Sequence, residues 1–160
     1  MRGLERLVVV LCLGLTAACG ASATPPAVSQ PPGEVPPPAD AAALLLGTKW
    51  QLVRFQGGDG TVLTPDDKAN YTIDFDAASR LAARIDCNRG SGTWQVAGQN
   101  QLTFGPMAMT RAACPPGSLH DQIVRQWGFV RSFLIKSDHL FLSLMADGGT
   151  YEFEPRAAPK

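Results

Sequence analysis

The amino-acid sequence predicts a mainly β fold: a small antiparallel β-barrel-like sheet with one covering α-helix. Three observations carry that prediction. Apolar residues alternate at period two in short runs, with Tyr71, Ile73 and Phe75 set against Thr72, Asp74 and Asp76, and Leu81, Ala83 and Ile85 set against Ala82, Arg84 and Asp86, so that each run shows one face to a core and one to water. Turn-forming residues punctuate the runs, as in Gly57-Gly58-Asp59-Gly60 and Ala97-Gly98-Gln99-Asn100. Only one segment, after Pro115-Pro116, changes to helical spacing.

In chain order, residues 1–18 read as a signal peptide. Arg2 and Arg6 form a basic start, Leu7 to Leu15 an apolar run, and Thr16-Ala17-Ala18-Cys19 a small-residue cleavage site. The apolar run is shorter than the roughly 20 residues a spanning helix needs. Leu15-Thr16-Ala17-Ala18-Cys19 resembles a bacterial lipobox, although Thr16 stands where leucine is preferred. Cys19 is then the lipidated first residue of the mature chain; the alternative is an ordinary secreted protein. In a Gram-negative envelope, Gly20 lacks the aspartate that retains lipoproteins in the inner membrane, so outer-membrane anchoring facing the periplasm is expected.

Residues 19–43 read as a lipidated cysteine and a disordered tether. Gly20 to Ala43 holds seven of the 13 prolines and only two charges, Glu34 and Asp40. As polyproline II, at about 3.1 Å per residue, such a segment holds a domain up to roughly 70 Å from its anchor. About 115 residues remain, enough for one domain over 44–155 and a short tail over 156–160. Once Arg2, Arg6 and Glu5 leave with the signal, 12 basic and 13 acidic residues remain. That balance gives no electrostatic footprint for nucleic acid and no polybasic patch for anionic lipid.

Within the domain, Lys49 to Phe55 reads as a strand between Gly47 and the glycine-rich turn. Trp94 and Val96 lead through Ala97-Gly98-Gln99-Asn100 to Leu102 and Phe104, a hairpin pattern. Ser132 to Lys136, His139 to Met145 and Thr150 to Glu154, joined by Ser137-Asp138 and Ala146-Asp147-Gly148-Gly149, form a meander. The helix is expected from a capping box of Ser118 and Asp121, with Leu119, Ile123, Trp127 and Val130 as the stripe that packs on the sheet.

Cys12 leaves with the signal and Cys19 takes the lipid, which leaves Cys87 and Cys114 in an oxidising compartment. They are either one disulfide or two buried free thiols. Closing their loop of about 28 residues would stabilise the fold by roughly 3.6 kcal/mol in the chain-entropy model.

Asp86-Cys87-Asn88-Arg89-Gly90-Ser91-Gly92-Thr93-Trp94, followed by Leu102-Thr103-Phe104-Gly105-Pro106-Met107-Ala108-Met109-Thr110-Arg111-Ala112-Ala113-Cys114-Pro115, resembles the signature of the META domain, the HslJ-like heat-shock lipoprotein family. Gly47-Thr48-Lys49-Trp50-Gln51-Leu52 is similar to its customary opening. The resemblance spans roughly residues 44–155. It departs at Asp86, often glycine in the family, at Gly90, often bulky, and at Trp94, often tyrosine. It implies a small antiparallel barrel with one helix and a part in envelope stress or drug tolerance, without a defined reaction.

The motif itself reads first as turn chemistry, with Asn88 bonding its own backbone in a left-handed turn and Gly92 supplying positive φ. The functional alternative gathers Asn88, Arg89, Trp94 and Arg111 as a recognition rim, and Trp50 and Trp94 are expected to fill the core or the barrel mouth. No cofactor, catalytic residue or metal ligand is expected. His120 and His139 sit in no catalytic motif, and Cys87, Cys114 and His120 lack the close paired spacing of a zinc site. The expected function is that of a non-catalytic, membrane-tethered envelope lipoprotein that binds another envelope component. The rivals are a barrel carrying one apolar small molecule in its mouth, which an apolar cavity of a few hundred Å3 would support, and an unrecognised enzyme.

Overall fold

A computed structural model describes residues 39–157 of the chain. The expected signal peptide, Cys19 and most of the linker lie outside the described residues, as does the end of the tail. The described elements are α1 (Ala39–Ala43), β1 (Lys49–Gln56), β2 (Val62–Leu63), β3 (Tyr71–Phe75), β4 (Arg80–Ile85), β5 (Asn88–Ala97), β6 (Gln101–Phe104), β7 (Ala108–Met109), α2 (His120–Gln126), β8 (Val130–Lys136), β9 (His139–Leu144) and β10 (Thr150–Pro155). Short 3-10 turns occupy Lys68–Asn70 and Trp127–Phe129.

Eight strands pair antiparallel in the order β1-β3-β4-β5-β6-β8-β9-β10, and β10 returns to β1 to close a barrel. β2 adds to β1 and β7 to β5. Closure removes the edges that an open sheet would expose. The wall is narrowest between β6 and β8, which meet through the single pair Gln101 and Ser132 and a bond from Phe133 N to Asn100 O (2.9 Å).

The inward set read from β3 and β4 holds in space, although Thr72, expected on the wet face of β3, is also buried. Tyr71, Ile73, Phe75, Leu81, Ala83 and Ile85 are all buried, beside Trp50, Leu52, Trp94, Leu102, Phe133, Leu140, Leu142 and Phe153. An eight-stranded barrel is just wide enough for side chains to fill, and these do so; a small recess bounded by Leu52, Tyr71, Ile123, Trp127 and Phe153 among others holds about 10 Å3. Phe75 meets Trp94 edge to face at 5.3 Å between ring centroids. In β1 the inward set is Trp50, Leu52 and Phe55, which breaks period two. A bulge between Leu52 and Arg54 absorbs the extra residue and returns Phe55 to the core.

The turns follow local chemistry. Ser137 and Asp138 both take positive φ (51° and 62°), as a two-residue hairpin with the twist of its strands requires. Asp76 organises the β3–β4 turn by accepting from the backbone N–H groups of Ala78 (2.9 Å) and Arg80 (2.7 Å). The Arg80 side chain, bonded to the same carboxylate, is the main reason that its pKa lies below the usual range.

Both barrel ends are covered. α2 lies over one, where Leu119 N–H donates to the Tyr71 hydroxyl (3.0 Å) and the Tyr151 hydroxyl donates to Gln126 Oε1. The helix is shorter than its sequence stripe. It spans His120–Gln126, tightens to a 3-10 turn, and Val130 begins β8 instead of completing the stripe, because pairing with Leu144 captures Val130 for the wall. Ser118 Oγ accepts from His120 N (3.1 Å), but Asp121 turns to the His120 ring, so no reciprocal box forms.

α1 falls in the segment read as linker. It precedes Leu45, which is fully buried, while Thr48 O accepts from Phe75 N (3.0 Å) at the end of the barrel opposite α2. Alanine's high helix propensity makes a five-residue turn possible there, and Ala41 and Leu45 bury its apolar side. Arg156, read as tail, bonds Asp74 (2.7 Å) and returns its N–H to Lys49 O (2.9 Å).

Leu45→Ala is expected to lower unfolding stability by about 2–5 kcal/mol, as for a core leucine, while Leu44→Ala, at an exposed position, stays within about 0.5 kcal/mol; urea unfolding reads both. Burial pushes the Tyr151 phenol well above its usual value. The unfolded phenol ionises near pH ~10, so this contribution is fully present below about pH 10 and is lost as pH rises beyond it. Tyr151→Phe should therefore flatten the fall of the urea midpoint above about pH 10.

Candidate functional site

The site is built on the turn between β4 and β5. Asp86 and Cys87 form a two-residue hairpin loop, since Ile85 pairs directly with Asn88. Asp86 takes φ of 55°, at the first loop position where glycine is favoured. Cys87 is bridged to Cys114 (S–S 2.04 Å, Cα–Cα 5.4 Å).

Asn88 begins β5 facing inward and is completely buried. Its Oδ1 accepts from Thr110 Oγ1 and Ala112 N, both at 2.8 Å. Its Nδ2 donates to Ala112 O (3.0 Å) and lies 3.3 Å from each disulfide sulfur and 3.2 Å from His120 Nε2. His120 Nδ1 lies 2.9 Å from Asp121 Oδ1. With Nδ1–H donating to that carboxylate, Nε2 is the acceptor facing Asn88. One amide thus joins β5, the disulfide loop and α2.

After Phe104 the chain leaves β6 and returns as β7 along β5, with Met109 opposite Gly90 and Ala108 opposite Ser91. Gly90 and Gly92 permit that approach. A Cβ on Gly90 would lie 2.7 Å from Met109 Cγ and 2.8 Å from Met107 Sδ, and one on Gly92 would lie 3.1 Å from Pro106 O. Both methionines therefore lie across bare backbone. Between this strap and α2 runs an open groove of about 780 Å3, lined by Ile85, Phe104, Met107, Met109, Val124 and Trp127, with His120 and Arg111 also on its walls. Phe104 stacks on Trp127 at 4.5 Å. The Trp127 indole N–H is buried without a hydrogen-bond partner.

The four residues expected at a recognition rim are not brought together at the surface. Asn88 is the buried hub, and its backbone is strand, so Asp86 and not Asn88 holds the left-handed position. Trp94 is 2% exposed in the core, its indole N–H donating to Arg80 O (3.2 Å). Gly92 needs no positive φ; it makes room for the strap. Arg89 is exposed on the outer face of β5, and Arg111 is exposed at the groove. The difference arises because strand pairing turns Asn88 inward and Arg89 outward, which a turn reading of the motif does not anticipate.

Sequence reasoning did not single out Met107, Met109 and His120 as neighbours in one groove. A usable signal was present: Met107-Ala108-Met109 in extended chain places both sulfur atoms on one face. His120 bonds Asn88 and Asp121, and His139 bonds Glu152 (2.8 Å), so neither imidazole holds a hydroxyl or thiol nucleophile among the described residues. Those residues contain no cluster of three His, Cys, Asp or Glu side chains set for a metal.

A family model for the META domain matches residues 43–158. The chain belongs to the META domain family. The META match begins within α1, one residue before the boundary at 44, and carries through the whole barrel. Among solved structures, a protein from Burkholderia xenovorans determined by NMR superposes with a TM-score of 0.62 at 22% identity, covering 84% of this chain and 98% of that one. A DUF4847 family protein from Bacteroides vulgatus ATCC 8482 gives a TM-score of 0.54 at 15% identity, covering 73% and 98%. At these identities the likeness concerns the fold alone. No curated protein matches. Two of this META domain's departures are complementary in space: Asp86 supplies the left-handed turn without glycine, and Gly90 gives up a side chain where the two methionines cross.

Asn88→Ala should destabilise the domain by about 2 kcal/mol or more, because the Ala112 N–H loses its acceptor and the burial of the loop opens. Arg89→Ala, one residue away but exposed, is expected within about 0.5 kcal/mol. Paired urea titrations of the oxidised proteins separate the two.

Proposed function

We propose that this META-domain protein is a lipid-tethered, non-catalytic binding module of the bacterial envelope, which receives an apolar segment of another envelope protein in the groove between β7 and α2. The observation that carries the reading is the contrast between a filled barrel and an open apolar groove. The barrel interior is filled by aromatic and branched side chains, and the recess among Leu52, Tyr71, Ile123 and Trp127 holds about 10 Å3, whereas the groove offers about 780 Å3 with apolar walls. Methionine walls repack around varied apolar partners, and Val124 and Phe129 extend the exposed apolar surface beside it. A near-neutral domain attracts its partner by apolar contact more than by charge.

Attachment through Cys19 and a proline-rich tether supports an envelope location, with the outer membrane facing the periplasm as its place and stress or drug tolerance as its setting. A barrel on such a tether samples partners within reach of its membrane.

Expression in the host with a photo-crosslinking residue at Val124 tests the reading. A discrete adduct with an envelope protein is expected, absent when the crosslinker is placed at Lys136 and reduced about tenfold or more by Ala108→Glu, since burying an unpaired charge in an apolar contact costs more than about 1.4 kcal/mol. Membrane fractionation beside Cys19→Ser should show the protein leaving the membrane. An apolar small molecule retained by the purified chain, with no protein adduct, would replace this reading with that of a carrier.

A further inference from the structure

The sulfur chemistry of the groove is not used by the reading above. Among the described residues both cysteines are consumed by the disulfide, so the sulfur donors left are thioethers. Two of the three, Met107 and Met109, meet over Gly90: Met107 Sδ and Met109 Cγ each lie within 3 Å of the point that a Cβ there would occupy. Asn88 stands two residues earlier on the same face of β5, about 7 Å away along an extended strand. Its amide nitrogen touches His120 Nε2. His120, Met107 and Met109 all line the same groove.

His120 is arranged as a ligand. Its Nδ1–H donates to the Asp121 carboxylate, so Nε2 carries the lone pair with the ring orientation fixed, as an outer carboxylate does for metal-binding histidines. Asn88 Nδ2 keeps Ala112 O as a partner at 3.0 Å when Nε2 is engaged elsewhere. Each methionine has three rotatable bonds, enough to swing its sulfur across the remaining gap.

We propose that Met107 Sδ, Met109 Sδ and His120 Nε2 form a three-coordinate site for a soft monovalent cation, Cu(I). The two thioethers are soft donors that select Cu(I), and imidazole also suits copper; hard cations want oxygen ligands, and structural zinc sites are four-coordinate, built from thiolate, imidazole or carboxylate. Arg111 is the one fully charged side chain lining the groove and opposes a cation from its rim, where it is exposed to solvent screening; Asp121 behind the imidazole offsets it. Thioethers suit an oxidising compartment, because they cannot be lost to a disulfide. Binding involves no electron transfer and displaces no covalent bond.

The test uses the full chain with Cys12→Ser and Cys19→Ser throughout, so that no free thiol contributes. Cu(I) is titrated anaerobically against bicinchoninate. One equivalent per chain is expected to compete with the chelator, and Met107→Leu with Met109→Leu is expected to weaken binding by about 100-fold or more, with Asp121→Asn weakening it by about 10–100-fold. Met and Leu exchange at nearly constant volume, so the double variant retains its fold. As a readout independent of any variant, Ag(I) should shift the Met107 and Met109 ε-methyl NMR signals of the same chain and leave those of Met1 and Met145 in place. Failure to compete with the chelator, equal affinity in the double leucine variant, or Ag(I) shifts confined to Met1 or Met145 would each overturn the site. The titration contains no partner protein, so its outcome is separate from that of the crosslinking experiment.

Discussion

The Asn88 side-chain amide holds the α2 end of the molecule together. It is completely buried, and a buried amide is tolerable only when its donors and acceptors are met. Here the partners come from three places: the strap at Thr110 and Ala112, the disulfide, and His120 at the start of α2. Moving the strap, which supplies Thr110 and both Ala112 partners, leaves a polar group stranded in a low-dielectric interior, where the cost is highest. The disulfide acts on a different state. It restricts the unfolded chain, whereas Asn88 selects where the folded loop lies.

That anchoring explains how one small barrel has both a filled interior and an open groove. Eight strands leave room inside only for side chains, and the aromatic and branched residues occupy it. Above Phe104, however, the wall does not continue from β6 to β8; the chain doubles back on β5 as β7, and α2 spans the opening. The strap is fixed by its two pairs with β5 and by the Asn88 bonds, α2 by Tyr71 and Tyr151. The space between two independently anchored elements is the groove. Gly90 sets its depth, because the absent side chain lets Met107 and Met109 settle against the strand.

Much of the wall was legible in the sequence. Arg80–Ile85 carries period-two alternation because one face is buried and the other wet, and Ser137-Asp138 marks its hairpin because its backbone needs positive φ. The helix was read too long, since Val130 fits a helical stripe and an inward strand position equally well and only Leu144 opposite it decides. The rim was misplaced for a similar reason. Asn88 and Arg89 are both polar, and their opposite fates follow from which side of β5 each occupies, a matter of register and not of residue type.

Taken alone, the sequence determined the class of fold, the family signature, the number of strands in the terminal meander and the two cysteines available to pair. These rest on local periodicity, turn preference and composition, which act over a few residues. The closure of β10 on β1, the bulge that restores Phe55 to the core, the burial of Asn88 and the meeting of Met107, Met109 and His120 were decided only by tertiary structure. Each depends on contacts between segments far apart in the chain, where the choice of partner and face is made by packing rather than by the residues' own preferences.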